Sequence, residues 1–500
     1  MITYKESTGN EELKAKKTTA PLRSEDYVIQ SMPPLLGTID MTTIYLATIF
    51  FIVNATTAAA GGVSTLTYWL VAGVAFLIPT GIATAQLAVM FPREGGLYNW
   101  TYKSFGNFWS FFASFCSWLP GVLMIISASS TILGFIQALN KGWQLAPWEQ
   151  GILILVIILG SGFIATRRFR RIQNVVNFAV YLSIIGVILL GLASLFWLWQ
   201  GKIAAVPFNN INYWMLSPNN FSIFGLIVFT YMGVAVPMQL GGEVIEKRAI
   251  TRHLIWGSLF AIAGSLIISF SVLVLFGSNV SDDPFTALFS TFNKGLGSIA
   301  GTVASVFILC FLLVVPVVYN YAFARILMVG GIDHRIPTRL SHLNKNRIPS
   351  SAITFQTVIA AFLAAMIYFV IPFLSNNGTG TIFAQVTHSI TQAAATLVWA
   401  MATLFLFANL FFYLTRGRKQ LEKHRLFPGP VLWLSAIGGT VVCLAAVVNT
   451  FSYSWVPDMI SNSQWWFIVG AISLLGLMIG GVASMFANSQ AVWQEINKPT

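Results

Sequence analysis

The sequence predicts an all-α integral membrane protein that crosses the bilayer twelve times. Of the 500 residues, 56% are hydrophobic and 9% are charged, with a mean hydropathy of +0.74. A soluble domain has about 25% charged residues, so water is not the main solvent of this chain. Apolar stretches long enough to cross about 30 Å of hydrocarbon lie near 41–61, 68–91, 108–138, 149–166, 174–199, 220–242, 253–276, 298–328, 350–373, 383–414, 428–449 and 465–486. We number these stretches spans 1 to 12.

The placement of lysine and arginine supports an even number of spans. Cytoplasmic loops of membrane proteins retain positive charge. With the N-terminus inside, 25 of the 28 lysines and arginines fall in cytoplasmic segments, and the exceptions are Lys141, Lys202 and Lys294. We therefore expect a multi-pass protein of the plasma (inner) membrane with both termini in the cytoplasm.

The composition also disfavours other classes of protein. The net charge of +12 is spread over alternating loops rather than gathered into one groove, which disfavours nucleic acid as a partner. The tail before Asp40 lacks the apolar core of a secretory signal, so we interpret it as a cytoplasmic tail. Cys116, Cys310 and Cys443 lie inside apolar spans and indicate neither a disulfide nor a metal cluster. We expect no cofactor.

Ionisable residues at membrane depth are rare. Asp40 begins span 1, Glu243 ends span 6, and His388 is the one histidine in the interior of a predicted span. Because no carboxylate lies near the middle of a span, a relay of acids across the bilayer is disfavoured. We interpret His388 as a packing histidine that is hydrogen-bonded to a neighbour. The spans carry neither a cluster of catalytic residues nor a repeated filter motif, so an enzyme or a channel is not expected.

Spans 1 and 6 have the poorest helix patterns. Span 1 contains IVNATTAAAGG at 52–62, and span 6 contains FTYMGVAVPMQLGG at 229–242. Glycine raises the cost of helix, and proline removes a backbone donor. Interrupted segments at matching positions of two halves indicate a transporter site built from an inverted repeat. The alternative is that these glycines only allow close helix packing.

Three separated patches carry a family resemblance. The first is FPREGGLYNW at 91–100, followed by Phe105-Gly106, and the second is FTYMGV at 229–234 with Gly242-Glu243. The third comprises Arg325, Asp333, Ile336-Pro337, Asn344-Lys345-Asn346 and Pro349. Together they resemble the amino acid, polyamine and organocation (APC) permeases, and most of all the glutamate/GABA-type antiporter branch.

This resemblance covers roughly residues 35–420 and implies a fold of two inverted five-helix repeats, the LeuT-like APC fold, with two additional helices. The implied organisation is an N-terminal tail over 1–39, a first repeat over 40–201, a second repeat over 202–420, spans 11 and 12 over 421–487, and a C-terminal tail over 488–500. Spans 11 and 12 would support either a homodimer or the scaffold of a monomer.

The resemblance also implies a substrate site at the midplane, between the broken helices. A zwitterionic amino acid needs partners for both of its charges. Amides that open the second half of span 1 would face its carboxylate with the positive end of a helix. The residues at this opening are Asn54, Ala55, Thr56 and Thr57.

Span 6 would provide the hydrogen-bond partners for the positively charged ammonium group. Carbonyls around Phe229 and Thr230, at the end of its first half, would accept hydrogen bonds from the ammonium. Phe229 stands where related permeases carry a gating aromatic, and an ordinary packing phenylalanine is the alternative. Gly233 belongs to the same motif, and Tyr231 is a candidate for gating.

Three positions at which relatives carry a titratable coupling group have residues that do not titrate here. They hold Ala235, Gln86 and Val180. Glu243 is the remaining acid near the pathway, and it is either a coupling residue or a loop residue that is ion-paired with Lys247 and Arg248. The sequence therefore favours exchange, or facilitated movement, over strongly proton-driven uptake.

Two functional hypotheses follow from these observations. The first is a secondary transporter that moves amino acids by alternating access. The second is a transporter of polyamines or other organic amines with the same fold. A substrate with several positive charges would require several intramembrane acids, which this sequence lacks, although aromatic faces can also hold cations.

Overall fold

The computed structural model describes residues 22–140, 143, 145–217, 220–280, 283–374 and 380–496. Most of the predicted N-terminal tail, at 1–21, lies outside the described residues. The described residues form eleven helices that are long and apolar enough to cross a membrane, or twelve when one bent pair counts as a span. Spans 1 to 12 are Thr38–Ile49 with Ile52–Gly61, Ser64–Met90, Asn107–Leu139, Pro147–Ala165, Phe169–Trp199, Ile223–Glu243, Lys247–Leu275, Ser298–Ile332, Ser350–Val370, Gln385–Thr415, Gly429–Ser452 and Asn462–Ser489.

The predicted fold class is confirmed, and the predicted span limits agree with the helices to within a few residues. Helices are the natural solution here because hydrocarbon offers no partner to an open backbone amide or carbonyl. Span 6 lies at the centre, with 94% of its most apolar window buried, whereas span 12 is peripheral with 28% buried. The helix of span 12 continues to Ile496, into the stretch that the sequence assigned to the C-terminal tail.

The two halves of the chain share a structural signature. A short helix precedes span 3, at Gly96–Phe105, and another precedes span 8, at Pro284–Leu296. Each of these helices ends at a glycine with positive φ, 83° at Gly106 and 84° at Gly297, and the long span follows at once. Spans 3 and 8 are five apart, as equivalent members of two five-helix repeats must be.

The end of the molecule that carries the Arg23–Ser31 helix is called the N-terminal face below. The 96–105 helix also lies on this face. Leu97, Tyr98 and Trp100 of this helix are buried against the rest of the protein. Glu25 of the N-terminal helix accepts a hydrogen bond from Asn99, at 2.9 Å. The two helices thus form one packed layer beneath the spans.

Both spans that the sequence singled out are interrupted. Span 1 bends by 43° between Ile49 and Ile52, where Phe50 and Phe51 leave helical geometry with ψ values of 79° and 88°. Span 6 is α-helical over Ile223–Thr230 and continues after Tyr231 as a 3₁₀ segment over Met232–Glu243.

Candidate functional site

The break in span 1 borders a small buried cavity. The cavity measures about 30 Å³, which is room for about two water molecules and less than any amino acid needs. The cavity therefore cannot hold an amino acid in this conformation. Its lining comes from spans 1, 3, 8 and 10, and comprises Ala47, Phe50, Phe51, Ile52, Val53, Asn54, Met124, Ser127, Ala128, Thr131, Phe311, Leu312, Val315 and Gln392.

The second half of span 1 begins with amides that have no partner inside the helix. Its first backbone hydrogen bond runs from the amide of Ala55 to the carbonyl of Phe51, at 3.1 Å. The first N–H groups of a helix carry partial positive charge and are free for a ligand. Here they belong to Ile52, Val53 and Asn54, all of which line the cavity.

Of the four candidate residues in span 1, the structure places only Asn54 on the cavity. Its side chain is 3% exposed, and its Nδ2 has no hydrogen-bond partner. Ala55 lies one residue further along, where its carbonyl accepts a hydrogen bond from the hydroxyl of Ser269, at 2.6 Å. The hydroxyls of Thr56 and Thr57 bond to backbone carbonyls one turn earlier in the same helix.

The opening of span 1 thus lies about one turn before the stretch that the sequence favoured. Sequence reasoning located the break by its glycines, whereas the chain leaves the helix at Phe50 and Phe51, which carry no helix-breaking signal. Gly61 and Gly62 instead form the turn into span 2, where Gly62 has a φ of 68°. A Cβ on Gly61 would approach Ile223 to 2.5 Å, so this glycine also permits close packing.

Phe229 sits directly behind the break. Its ring stacks on that of Phe51, with centroids 5.3 Å apart, and it also contacts Trp399 and Trp455. It is fully buried, so it does not face lipid. Phe51, and not Phe229, forms the cavity wall. A substrate in the cavity would meet Phe229 only after Phe51 moved.

The other candidates in span 6 lie away from the cavity. The hydroxyl of Thr230 donates to the carbonyl of Leu226 at 2.9 Å. Tyr231 meets the edge of Trp69, with centroids 5.5 Å apart. A Cβ on Gly233 would lie 2.8 Å from the carbonyl oxygen of Thr48. Gly233 therefore lets the two broken spans pack against each other.

Three polar residues that line the cavity were not predicted as site residues, namely Ser127, Thr131 and Gln392. Gln392 donates to the hydroxyl of Ser127 at 3.1 Å, and the same hydroxyl lies 3.2 Å from Nδ1 of His388. The ring of His388 also meets Phe285, so its interpretation as a hydrogen-bonded packing histidine agrees with the structure. The available signal was the spacing of His388 and Gln392, which places both on one helix face.

Glu243 is not a loop residue paired with Lys247 or Arg248. It is 2% exposed, and its Oε1 accepts hydrogen bonds from Nε and Nη2 of Arg325, at 2.8 and 2.7 Å. Glu94, from the loop after span 2, lies on the same guanidinium, with its Oε1 3.2 Å from Nε. The sequence places Glu94 and Arg325 in two separate family patches and does not indicate that their side chains meet.

Comparison with known proteins identifies the family to which a chain with this architecture belongs. Twelve helical spans, two of which are interrupted, form the fold of the inverted-repeat class of membrane proteins. The model of the amino acid permease family matches residues 36–478. The chain therefore belongs to the amino acid permease family, within the APC superfamily.

Curated relatives share about a quarter of their aligned residues with this chain. The serine/threonine exchanger SteT of Bacillus subtilis is 25% identical over 59% of this chain and 67% of its own length. A glutamate/gamma-aminobutyrate antiporter of Lactococcus lactis is 23% identical over 78% of this chain and 77% of its own. The probable agmatine/putrescine antiporter AguD of Lactococcus lactis is 26% identical over 54% and 57%.

A solved structure supports the fold. A mutant of the manganese transporter of Eremococcus coleocola aligns with a TM-score of 0.54 and 13% identity over 91% of this chain and 94% of its own. At this identity the likeness concerns the fold alone. Among the described residues, no group of three or more His, Cys, Asp or Glu side chains is arranged to hold a metal ion.

Proposed function

We propose that this protein is a secondary transporter that exchanges neutral amino acids across the plasma membrane by alternating access. The substrate would bind at the break of span 1. One observation carries the proposal. The unbonded amides that begin the second half of span 1 border the same cavity as the carbonyl end of its first half.

A zwitterion matches this pairing. Its carboxylate would accept hydrogen bonds from the amides of Ile52, Val53 and Asn54, supported by the dipole of the helix that follows. The first half of span 1 ends at Ile49, so its last carbonyls lose the partners that a continuous helix would supply. The carbonyl of Ala47, also at the cavity, is one of these, and it would accept from the ammonium.

The side chains around the cavity favour a neutral substrate. None of the described residues that line it is Asp, Glu, Lys, Arg or His. A polyamine would leave two or more positive charges without a counter-ion, and an acidic side chain would leave a negative one. The likeness to a probable agmatine/putrescine antiporter keeps amine transport as the second candidate.

Transport would require the two broken spans to move together. Gly233 of span 6 packs on the backbone of Thr48 in span 1. At the N-terminal face, the amides of Leu35 and Leu36 both donate to the carbonyl of Glu243, at 2.8 and 2.9 Å. These contacts tie the inner halves into one unit that would swing away from span 8. The distribution of positive charge supports a cytoplasmic location for the N-terminal face.

A counterflow assay in proteoliposomes tests the proposed function. Vesicles would be loaded in turn with unlabelled serine, alanine, leucine, glutamate or putrescine, and the uptake of the same labelled compound would be followed. We expect acceleration by at least one neutral amino acid and none by glutamate or putrescine. Acceleration by putrescine alone would establish the amine transporter instead.

Replacing Phe229 tests whether the site includes the aromatic layer behind the break. We expect Phe229→Ala to lower the exchange rate at least several-fold while the protein still inserts, because Phe51 loses the ring on which it stacks. Phe467→Ala is the matched control, since Phe467 lies in span 12 and is 67% exposed. Unchanged kinetics in Phe229→Ala would remove this residue from the site.

A further inference from the structure

The N-terminal face contains two buried carboxyls that share one cation. Glu94 and Glu243 both place Oε1 within 3.2 Å of Nε of Arg325. All three side chains are almost completely buried. Glu94 is anchored by its other oxygen, which accepts a hydrogen bond from the amide of Gly242 at 2.9 Å.

The charges of this cluster do not balance. Two ionised carboxylates and one guanidinium leave one negative charge in a site that water does not reach, which is a costly arrangement. The Oε1 of Glu94 has no hydrogen bond in the structure. Both carboxyls place an oxygen against the same nitrogen of Arg325, and two carboxyls held this close together are favourable only when one of them holds a proton.

Burial raises the pKa of Glu94 well above its ordinary value, and the negative charge of Glu243 raises it further. Arg325 and the amide of Gly242 act in the opposite direction but do not cancel the effect.

Asp40, Glu25 and Asp333 on this face have partners of their own. Asp40 of span 1 pairs with Arg170 of span 5 at 2.7 Å, and the hydroxyl of Tyr321 in span 8 donates to Oε1 of Gln173 in span 5 at 2.9 Å. The N-terminal helix contacts Gly242 through the apolar side chain of Val28. Its Glu25 pairs with Lys103 of the 96–105 helix at 3.1 Å, and Asp333, after span 8, holds Ser24.

The cluster joins segments that must separate for this face to open. Glu243 ends span 6, whose carbonyl binds the start of span 1, whereas Arg325 belongs to span 8. Opening would expose the cluster to water, where both carboxyls can ionise without penalty. The number of bound protons therefore depends on whether the face is closed or open.

We infer that the closed N-terminal face binds one proton between Glu94 and Glu243 and releases it to the cytoplasm on opening, so that an acidic cytoplasm holds this face closed. The inference rests on the proposed function, because it assigns a pH control to the same transport cycle. The proton enters and leaves on one side only, so it does not drive transport.

The sign of the effect follows from linkage. Glu94 has a raised pKa in the closed face and an ordinary one, about 4.3, when exposed to water. Between these two values the closed conformation binds more protons than the open one, so lowering the pH favours the closed face. The closed-to-open ratio changes by at most about tenfold per pH unit for one proton.

Two readouts on the purified protein in nanodiscs, without substrate, test the inference. The first is infrared difference spectroscopy of protonated carboxyl groups during a pH titration. The second is a distance between probes on Ile245→Cys and Arg339→Cys, placed on exposed residues beside Glu243 and beyond span 8, in a background without the native cysteines. We expect a titrating carboxyl signal and a shift to the short distance as the pH falls.

The Glu94→Gln variant mimics the protonated carboxyl. We expect it to lose the titrating signal and to keep the short distance at every pH, whereas Glu94→Asp retains a pH response. Glu422→Gln, on an exposed helix, should behave as the parent. A full pH response in Glu94→Gln, or no carboxyl signal lost there, would overturn the inference. Failed counterflow with these results intact would instead refute the proposed function alone.

Discussion

The cavity at the break of span 1 and the cluster at the ends of spans 6 and 8 are both buried, and they differ most in charge. The described cavity lining has no ionisable side chain, whereas Glu94, Glu243 and Arg325 meet within 3.2 Å in the cluster. At the cavity, backbone amides and carbonyls and uncharged side chains such as Ser127 and Gln392 provide the polarity. In the cluster, side chains provide it.

This difference separates two tasks. Backbone dipoles can hold a zwitterion without adding net charge to the membrane interior, and the residues that line the cavity then carry no charge that needs a counter-ion. A cluster of side-chain charges is costly to bury but can be broken and reformed, which would suit a contact that opens in the proposed transport cycle.

The largest expected effect of a single change is at Arg325. We expect Arg325→Ala to destabilise the protein by about 3–5 kcal/mol, because two buried carboxyls would lose their shared cation. Thermal unfolding in detergent, followed by tryptophan fluorescence, measures the loss. Arg416→Ala, at an exposed position after span 10, is the control. Equal midpoints for the two variants would show that the cluster contributes nothing to stability.

The contact between the broken spans gives the next effect. Gly233→Ala would force a Cβ to within 2.8 Å of the carbonyl oxygen of Thr48. We expect a loss of about 1–3 kcal/mol of stability and impaired exchange, since overpacking pushes span 6 from span 1. A Cβ on Gly438 of span 11 meets nothing within 4 Å, so Gly438→Ala should be harmless. If both variants behave alike, the close contact is unimportant.

The polar wall of the cavity should matter for affinity more than for stability. Gln392→Leu removes the amide that donates to Ser127 at the cavity. We expect KM for the exchanged amino acid to rise about 2- to 10-fold, the effect of losing a hydrogen bond worth about 0.5–1.5 kcal/mol. Gln200→Leu, exposed beyond span 5, is the control. An unchanged KM would place the substrate elsewhere.

The smallest effect is expected for an ion pair on the same face as the cluster. Arg170 pairs with Asp40 at 2.7 Å, but the arginine side chain is 52% exposed. Asp40 also accepts hydrogen bonds from Asn177 and from the amide of Gly37. We expect Arg170→Ala to cost less than about 1 kcal/mol in the same unfolding assay. A cost equal to that of Arg325→Ala would mean that burial does not decide the difference.

The fold could be predicted from the sequence because membrane spans follow from apolar length and charge placement. Those signals are local, and the helix limits agree with them. The break in span 1 could not be located, because Phe50 and Phe51 leave the helix through tertiary contacts with Phe229 and neighbouring helices. The paired glycines pointed to the correct span but to its outer turn.

Only part of the candidate site could be predicted, because the rest depends on tertiary contacts. Asn54 lies on the cavity, but Ser127 and Gln392 come from spans that are distant in sequence. Nothing in the sequence indicated that Glu243 would meet Arg325 rather than the basic residues that follow it. Long-range pairing depends on how the helices pack, which a single sequence does not encode in any local pattern.

The most direct test of this account measures proton movement during exchange. Proteoliposomes with an internal pH indicator would exchange a labelled neutral amino acid against the same unlabelled compound inside, with and without a pH gradient. The account predicts exchange without any change of internal pH and without acceleration by the gradient. Internal acidification in proportion to substrate uptake would contradict it, because a proton would then cross the membrane with the substrate.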